Sequence, residues 1–299
     1  LNHIKIGIAL PNSGAHADAR RLVDLAVEIE RLGFDSVWTL DRWLRPLDPV
    51  AMPGMPEPAM MPPSYSTVLD PIDLLCAVAA VTERLWLGTS AVNALYHSPV
   101  LLARRYATLD HLSGGRAIAG VTSGWMEPEF VAAGRVLPPD ALAEHVAAMR
   151  AVWGPDPVAF AGEHFEIPPS DIGPKPVQAA IPVLVGYATD AGIERAARIA
   201  DGLHPFRQDL DRLGDDIDRF RRHARAAGRD PSSLQVVARF AAHLEPNPGR
   251  PFAGPVGTWM EDLEALAALG VNHAVIQVAG DLDGTIAVIT ELARITGRS

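Results

Sequence analysis

The chain has 299 residues, 48% of them hydrophobic, which suffices for a substantial core. Its 36 acidic residues against 26 lysines and arginines give a formal charge of −10, which argues against a nucleic-acid binder with a basic face. A single cysteine, Cys76 in DLLCAVAAV, excludes an intramolecular disulfide and reads as a small core residue.

The opening residues LNHIKIGIALP lead directly into a strand, with no leader pattern and no bilayer-length apolar run, so a cytoplasmic protein without a membrane partner is expected. Strand signals then begin near Ile4, Ser36, Leu85, Ala117, Pro182, Gly202, Leu234 and Ala274. Helical patterns follow each in turn, over 18–32, 71–82, 99–112, 138–152, 190–200, 210–227, 259–269 and 282–296. ERLGFDSVW and AALGVNHAVI both close a helix with Leu-Gly before a strand, glycine supplying a left-handed cap. Ser98-Pro99 reads as an N-cap followed by proline at the first helical position, and Thr258 to Glu261 as a capping box. Eight alternating units predict a (β/α)₈ TIM barrel over a single domain, residues 1–299. A doubly wound open sheet is the alternative, weakened because no GxGxxG follows the first strand.

Two insertions interrupt the alternation, after the second and fourth strands. Residues 41–69 contain MPGMPEPAMMPP, with four of the seven methionines, and leave the C-terminal end of a strand. A loop of this length over an active face reads as a lid, with methionine giving it an adaptable inner surface; a proline-stiffened surface loop is the alternative. The second insertion carries DPVAFAGEHFEIPPSDIGPKPVQ, read as a hairpin of 158–160 and 164–167 around Gly162.

Barrel chemistry is assembled at strand ends. These ends offer Asp41-Arg42, Ser90-Ala91 with Asn93, Thr122-Ser123-Gly124-Trp125, Gly186-Tyr187-Ala188-Thr189 and, beyond His204, Arg207. Small residues permit close approach, aromatics flank a planar ring, and cations meet an anion. That set suits a planar, phosphate-bearing cofactor better than a metal; no HxH or HExxH spacing occurs among the scattered histidines, and no GxSxG. Thr189 caps the next helix, whose N-terminus favours negative charge, and Arg207 adds a fork of donors for phosphate. Of the histidines, only His204 lies near a strand end on this face.

LGTSAVN, then SPVLLARRYATLDHLSGGR, then GVTSGW resemble the bacterial luciferase-like family of flavin and deazaflavin oxidoreductases, and the likeness extends from IKIGIALP to GVNHAVIQV. The resemblance implies a TIM barrel, a small-molecule substrate, a cis peptide at Ser90-Ala91, and coenzyme F420, with FMN as the alternative. A homodimer is expected. At Asp41-Arg42 the chain departs from deazaflavin-using relatives that carry Asp-His. Arginine is no general base at neutral pH, so Arg42 is expected to hold a substrate oxygen, beside Asp41, with Trp125 stacking on cofactor or substrate. A non-catalytic flavin-binding relative is a second alternative.

Overall fold

In the computed structural model, residues 4–53 and 55–298 are described. In chain order they form β1 (Lys5–Ala9), α1 (Ala19–Arg31), β2 (Ser36–Thr39), α2 (Pro71–Ala79), β3 (Trp86–Thr89), β4 (Val92–Asn93), α3 (Pro99–Ser113), β5 (Ala117–Thr122), α4 (Glu127–Ala132) and α5 (Ala141–Trp153). A hairpin of β6 (Val158–Ala161) and β7 (Glu166–Ser170) follows, then β8 (Val183–Val185), α6 (Asp190–Ile199), β9 (Gly202–Leu203), α7 (Leu210–Ala226), β10 (Gln235–Ala242), α8 (Trp259–Leu269), β11 (His273–Val278) and α9 (Leu282–Thr296). The main sheet runs β3-β2-β1-β11-β10-β9-β8-β5-β4, every neighbouring pair parallel, and β3 also pairs with β5. That last pairing closes the ring and removes the open-sheet alternative. Because β4 continues β3 past Ser90-Ala91, the ring has eight staves: a (β/α)₈ barrel with helices outside.

The barrel interior is plugged by Ala9, Trp38, Ile118, Leu184, Val237 and Val275, contributed by six different strands. Trp38 is fully buried and dominates the plug. Gly88 is required beside it, because a Cβ there would run into the indole ring. Outside the staves, α1 shows the pattern that seats each helix: Leu22, Leu25, Ala26 and Ile29 are buried on one face. Asp18 accepts from Arg20 and Arg21 N–H groups at its start, and Asp70 does the same for Ile72 and Asp73 on α2, ahead of Pro71.

Three local readings change. Ser98 occupies the N-cap position of α3 without a side-chain bond. Thr258 forms no capping box: Val256–Thr258 is already a 3₁₀ turn, and the Thr258 hydroxyl donates back to Pro255 O at 2.8 Å. The hairpin pairs later than its sequence suggests, since the Glu163, His164 and Phe165 N–H groups donate to the Glu144 carboxylate from α5 instead of to a ladder.

Candidate active site

The C-terminal ends of the staves converge around one mouth. Register brings Asn93 beside Thr122 and Val121 beside Val185, and the Gly186 N–H donates to Val121 O at 2.9 Å. The sequence-predicted residues therefore gather in space: Asp41 from β2, Ser90, Ala91 and Asn93 from β3 and β4, Thr122 to Trp125 after β5, Gly186 to Thr189 after β8, and Arg207 after β9. The Ser90-Ala91 peptide is cis.

Ser90 is held on both sides. His204 Nδ1 faces Val237 O at 2.6 Å, an acceptor, so Nδ1 carries the proton. Its Nε2 then accepts the Ser90 hydroxyl at 2.6 Å. Burial holds His204 neutral, down to about 4, and the ring stacks on Trp38 with centroids 5.2 Å apart. The Ser90 carbonyl accepts from Arg239 Nη1 at 2.8 Å. His204 is thus a positioning group, and Arg239 on β10 is a mouth residue that the sequence reading missed.

Asp41 is 7% exposed. Its Oδ2 accepts the Asn93 N–H at 3.1 Å. Burial, helped by the Glu129 and Asp70 carboxylates and opposed by the Asn93 N–H and Arg42, pushes Asp41 up to about 7. A carboxyl that titrates near neutrality at a barrel mouth can give and take a proton. Beside it, buried Asn93 Nδ2 has no hydrogen-bond partner among the described residues.

Arg42 has a partner inside the protein. Its Nη1 donates to Glu129 Oε2 at 2.7 Å, with Glu129 fully buried and the Arg42 side chain 11% exposed. Glu129 also accepts from the Trp43 N–H and the Tyr96 hydroxyl. The guanidinium sits 4.9 Å from the Trp125 ring centroid and 5.4 Å from that of Tyr65. So Arg42 bolts the foot of the 41–69 loop to α4, and Trp125 packs on Arg42. Glu129 escaped the sequence reading, although an acidic first turn with proline in EPEF marks a helix start. Gly124 ends this stretch at φ +79°, pressed against the Tyr96 ring where a side chain would collide.

Further bonds tie the loop at its feet and across its middle. Asn12 Nδ2 donates to Leu40 O at 2.8 Å and Leu69 O at 3.0 Å, joining both feet. Arg45 Nε donates to Met61 O at 3.0 Å, and Val50 and Ala59 form a bridge. Of the loop's four methionines Met61 is buried, Met52 half-buried and Met55 and Met60 exposed, so the expected methionine-lined inner surface is not formed by the set as a whole.

At the late strand ends, Thr189 Oγ1 accepts the Gly192 N–H and caps α6 as expected. Arg207 is not free: its Nε donates to Asp216 Oδ2 at 2.9 Å, the Tyr187 hydroxyl donates to the same oxygen at 2.5 Å, and the guanidinium lies 5.5 Å from the Tyr187 ring centroid. Asp216 was missed, though an acid set among Leu213, Ile217 and Phe220 on the apolar face of α7 was the available signal. A Cβ on Gly186 would meet only ordinary contacts, so glycine there is not demanded by the protein's own packing. The orphaned Asn93 amide, the small Gly186 at a strand end and the capped α6 terminus fit a planar, phosphate-bearing group. Among the described residues no cluster of three His, Cys, Asp or Glu side chains is placed to hold a metal.

Comparison with known proteins gives consistent relatives. The family described as luciferase-like monooxygenase matches over residues 4–250. An uncharacterised protein of Mycobacterium tuberculosis strain H37Rv is 41% identical over 179 residues, 58% of this chain and 62% of that protein. The match thus spans less than two thirds of that relative's length. An F420-dependent glucose-6-phosphate dehydrogenase of Amycolatopsis mediterranei is 32% identical over 193 residues, 62% of this chain and 52% of that one. A riboflavin lyase solved with modified FMN and riboflavin superposes with a TM-score of 0.79 at 16% identity, covering 99% of this chain and 91% of that one, a likeness of fold.

Proposed function

Since this chain belongs to the luciferase-like monooxygenase family, we propose that it is an F420-dependent oxidoreductase that moves a hydride between the deazaflavin and a small organic substrate. The observation that carries this reading is Asp41, a buried carboxyl at a strand end, titrating near neutrality and adjacent to an unpartnered amide. Hydride exchange with an alcohol or carbonyl also moves one proton on oxygen, and Asp41 is the group at the mouth suited to carry it. The similarity to an F420-dependent dehydrogenase supports the same choice.

When bound, the deazaflavin supplies a carbon centre that accepts or returns a hydride. Ser90, Ala91 and Asn93 with Thr122, Ser123 and Gly124 would line its ring. Gly186, Tyr187, Ala188 and Thr189 would hold its phosphate at the α6 N-terminus. Arg207, already matched by Asp216, would add its remaining N–H groups. Asp41 takes the substrate hydroxyl proton in oxidation and returns it in reduction. Arg42, matched by Glu129, sets the loop over the reacting groups and thereby limits water.

FMN is the second reading, favoured by the fold likeness to an FMN-containing lyase. Side-by-side titration of the cofactor-free protein decides between them. We expect F420 fluorescence to change saturably at micromolar concentration or below, with weaker FMN binding. FMN retained through purification with no F420 response overturns the F420 assignment and leaves the fold standing.

A further inference from the structure

Three arginines ring the mouth, and two are matched by carboxylates: Arg42 by Glu129 and Arg207 by Asp216. Arg239 is not. Among the described residues it joins no ion pair. Its position follows from strand alternation. Val237 and Val275 belong to the plug, so Arg239 and Gln277, each two residues further along its strand, point the same way one step nearer the mouth. There Nη1 donates to Ser90 O at 2.8 Å, Nη2 donates to Gln277 Oε1 at 2.5 Å, and the guanidinium lies 5.2 Å from the Phe206 ring centroid. Arg239 Nε is buried without a partner among the described residues. A second unpartnered donor, Gln208 Nε2, lies beside the same strand, its Oε1 accepting the Ala241 N–H.

A cation partly withdrawn from water without a counter-charge is costly, and proteins tend to pair such groups. Burial lowers Arg239 to about 10, which leaves it charged at neutral pH. Two neutral acceptors orient it, so its fork is fixed before any ligand arrives. The neighbouring surplus is of donors, so the complementary ligand is rich in acceptor oxygens and carries negative charge.

We propose that Arg239 is an anion receptor on the floor of the mouth, taking a delocalised oxyanion of the bound ligand. Two sources share that chemistry: the pyrimidine-edge oxygen of the reduced cofactor ring, common to flavin and deazaflavin, and a carboxylate or enolate oxygen of the substrate. The first source rests on the cofactor reading above; the receptor itself does not.

The test compares wild type with Arg239→Met and Arg239→Lys. In the cofactor-free protein, acetate should raise the melting temperature of wild type saturably and leave Arg239→Met unmoved. Without acetate, Arg239→Met should melt no lower than wild type, since an uncompensated charge has been removed; a merely structural arginine would lower it. With whichever cofactor wild type binds, absorbance against pH reports ionisation of the bound reduced ring. If the ring is the source, that ionisation moves up by roughly one pH unit in Arg239→Met, a tenfold loss of preference for the anion. If the substrate is the source, the ionisation stays fixed while the acetate response is lost. Should Arg239→Met fail to fold, Arg239→Lys decides: the charge survives but the fork does not, so the acetate response should weaken severalfold. Equal acetate responses in wild type and the folded variant, with equal ring ionisation, overturn the proposal. If wild type binds neither F420 nor FMN, the cofactor reading fails and the acetate arm still gives its answer.

Discussion

Asp41 couples chemistry and stability through one proton. Replacing it with asparagine should lower turnover by about 10²–10⁴-fold and erase an inflection near pH 7 in the rate profile. An unchanged profile would remove Asp41 from the reaction. The same substitution should act on stability in a predictable direction. The folded value is raised above 3.8, so the native state holds its proton more tightly than the unfolded chain. Stability tied to this group is complete below pH 3.8 and is lost as pH rises through about 7. Asp41→Asn should therefore stabilise the cofactor-free protein more at pH 8 than at pH 5, by urea unfolding. Its neighbour Arg42 tests the opposite logic. Glu129→Ala leaves a largely buried guanidinium unmatched and should cost about 3–5 kcal/mol, whereas Arg42→Met with Glu129→Leu together should cost less than Glu129→Ala alone. Additive losses in that cycle would mean the two side chains act independently.

At the scale of elements, the staves and outer helices were legible because each carries its own periodicity, caps or Leu-Gly stop. β2 begins at Ser36, β5 at Ala117 and β9 at Gly202, where their apolar runs begin. α4 was not legible: six residues hold too little pattern to stand out, and its function lies in one carboxylate, Glu129, that meets Arg42 across 87 positions. The site was legible as a set of strand ends and illegible as a set of pairings. Nothing local in Arg42 or Arg207 announces a partner, and nothing in ARF announces that Arg239 joins no ion pair among the described residues. The 41–69 loop shows a similar limit, its length and proline content being visible but its attachments not. Because the described residues between 47 and 60 are mostly exposed, their amides should exchange quickly in the free protein and slow when cofactor and substrate are present. Identical exchange in both states would make it a fixed surface loop. Met61→Ala should speed exchange in this loop more than it lowers global melting, because Met61, though buried, belongs to neither core cluster.

For the molecule as a whole, four histidines set the acid limit. Burial holds His97, His145 and His204 down to about 4 and His273 to about 3. Each folded value lies below the unfolded 6.5. The stability linked to them is complete above that value and is lost as pH falls through it towards the folded values. Unfolding free energy should thus decline steadily from pH 7 to pH 4.5, and His273→Gln should flatten the decline by about one proton. A flat curve for wild type would show that these rings protonate in place. The interior explains why they are tolerated: His273 Nε2 lies 2.8 Å from the Ser36 hydroxyl and His204 stacks on Trp38, so the barrel uses neutral imidazoles as polar filler.

Asn12 brings the two ends of the 41–69 excursion to one side chain. Everything between those ends is then a ring closed at a fixed point, and the entropy of closing a ring grows only with the logarithm of its length. Doubling the number of residues in it would cost about 0.6 kcal/mol. Beyond Arg45, clear of Asp41 and of the Arg42 and Trp43 bonds to Glu129, the barrel therefore tolerates a longer, shorter or foreign segment with little change in its own free energy. Asn12 makes the roof over the mouth an interchangeable part: substrate preference can be rewritten by grafting there, while the staves below stay as they are.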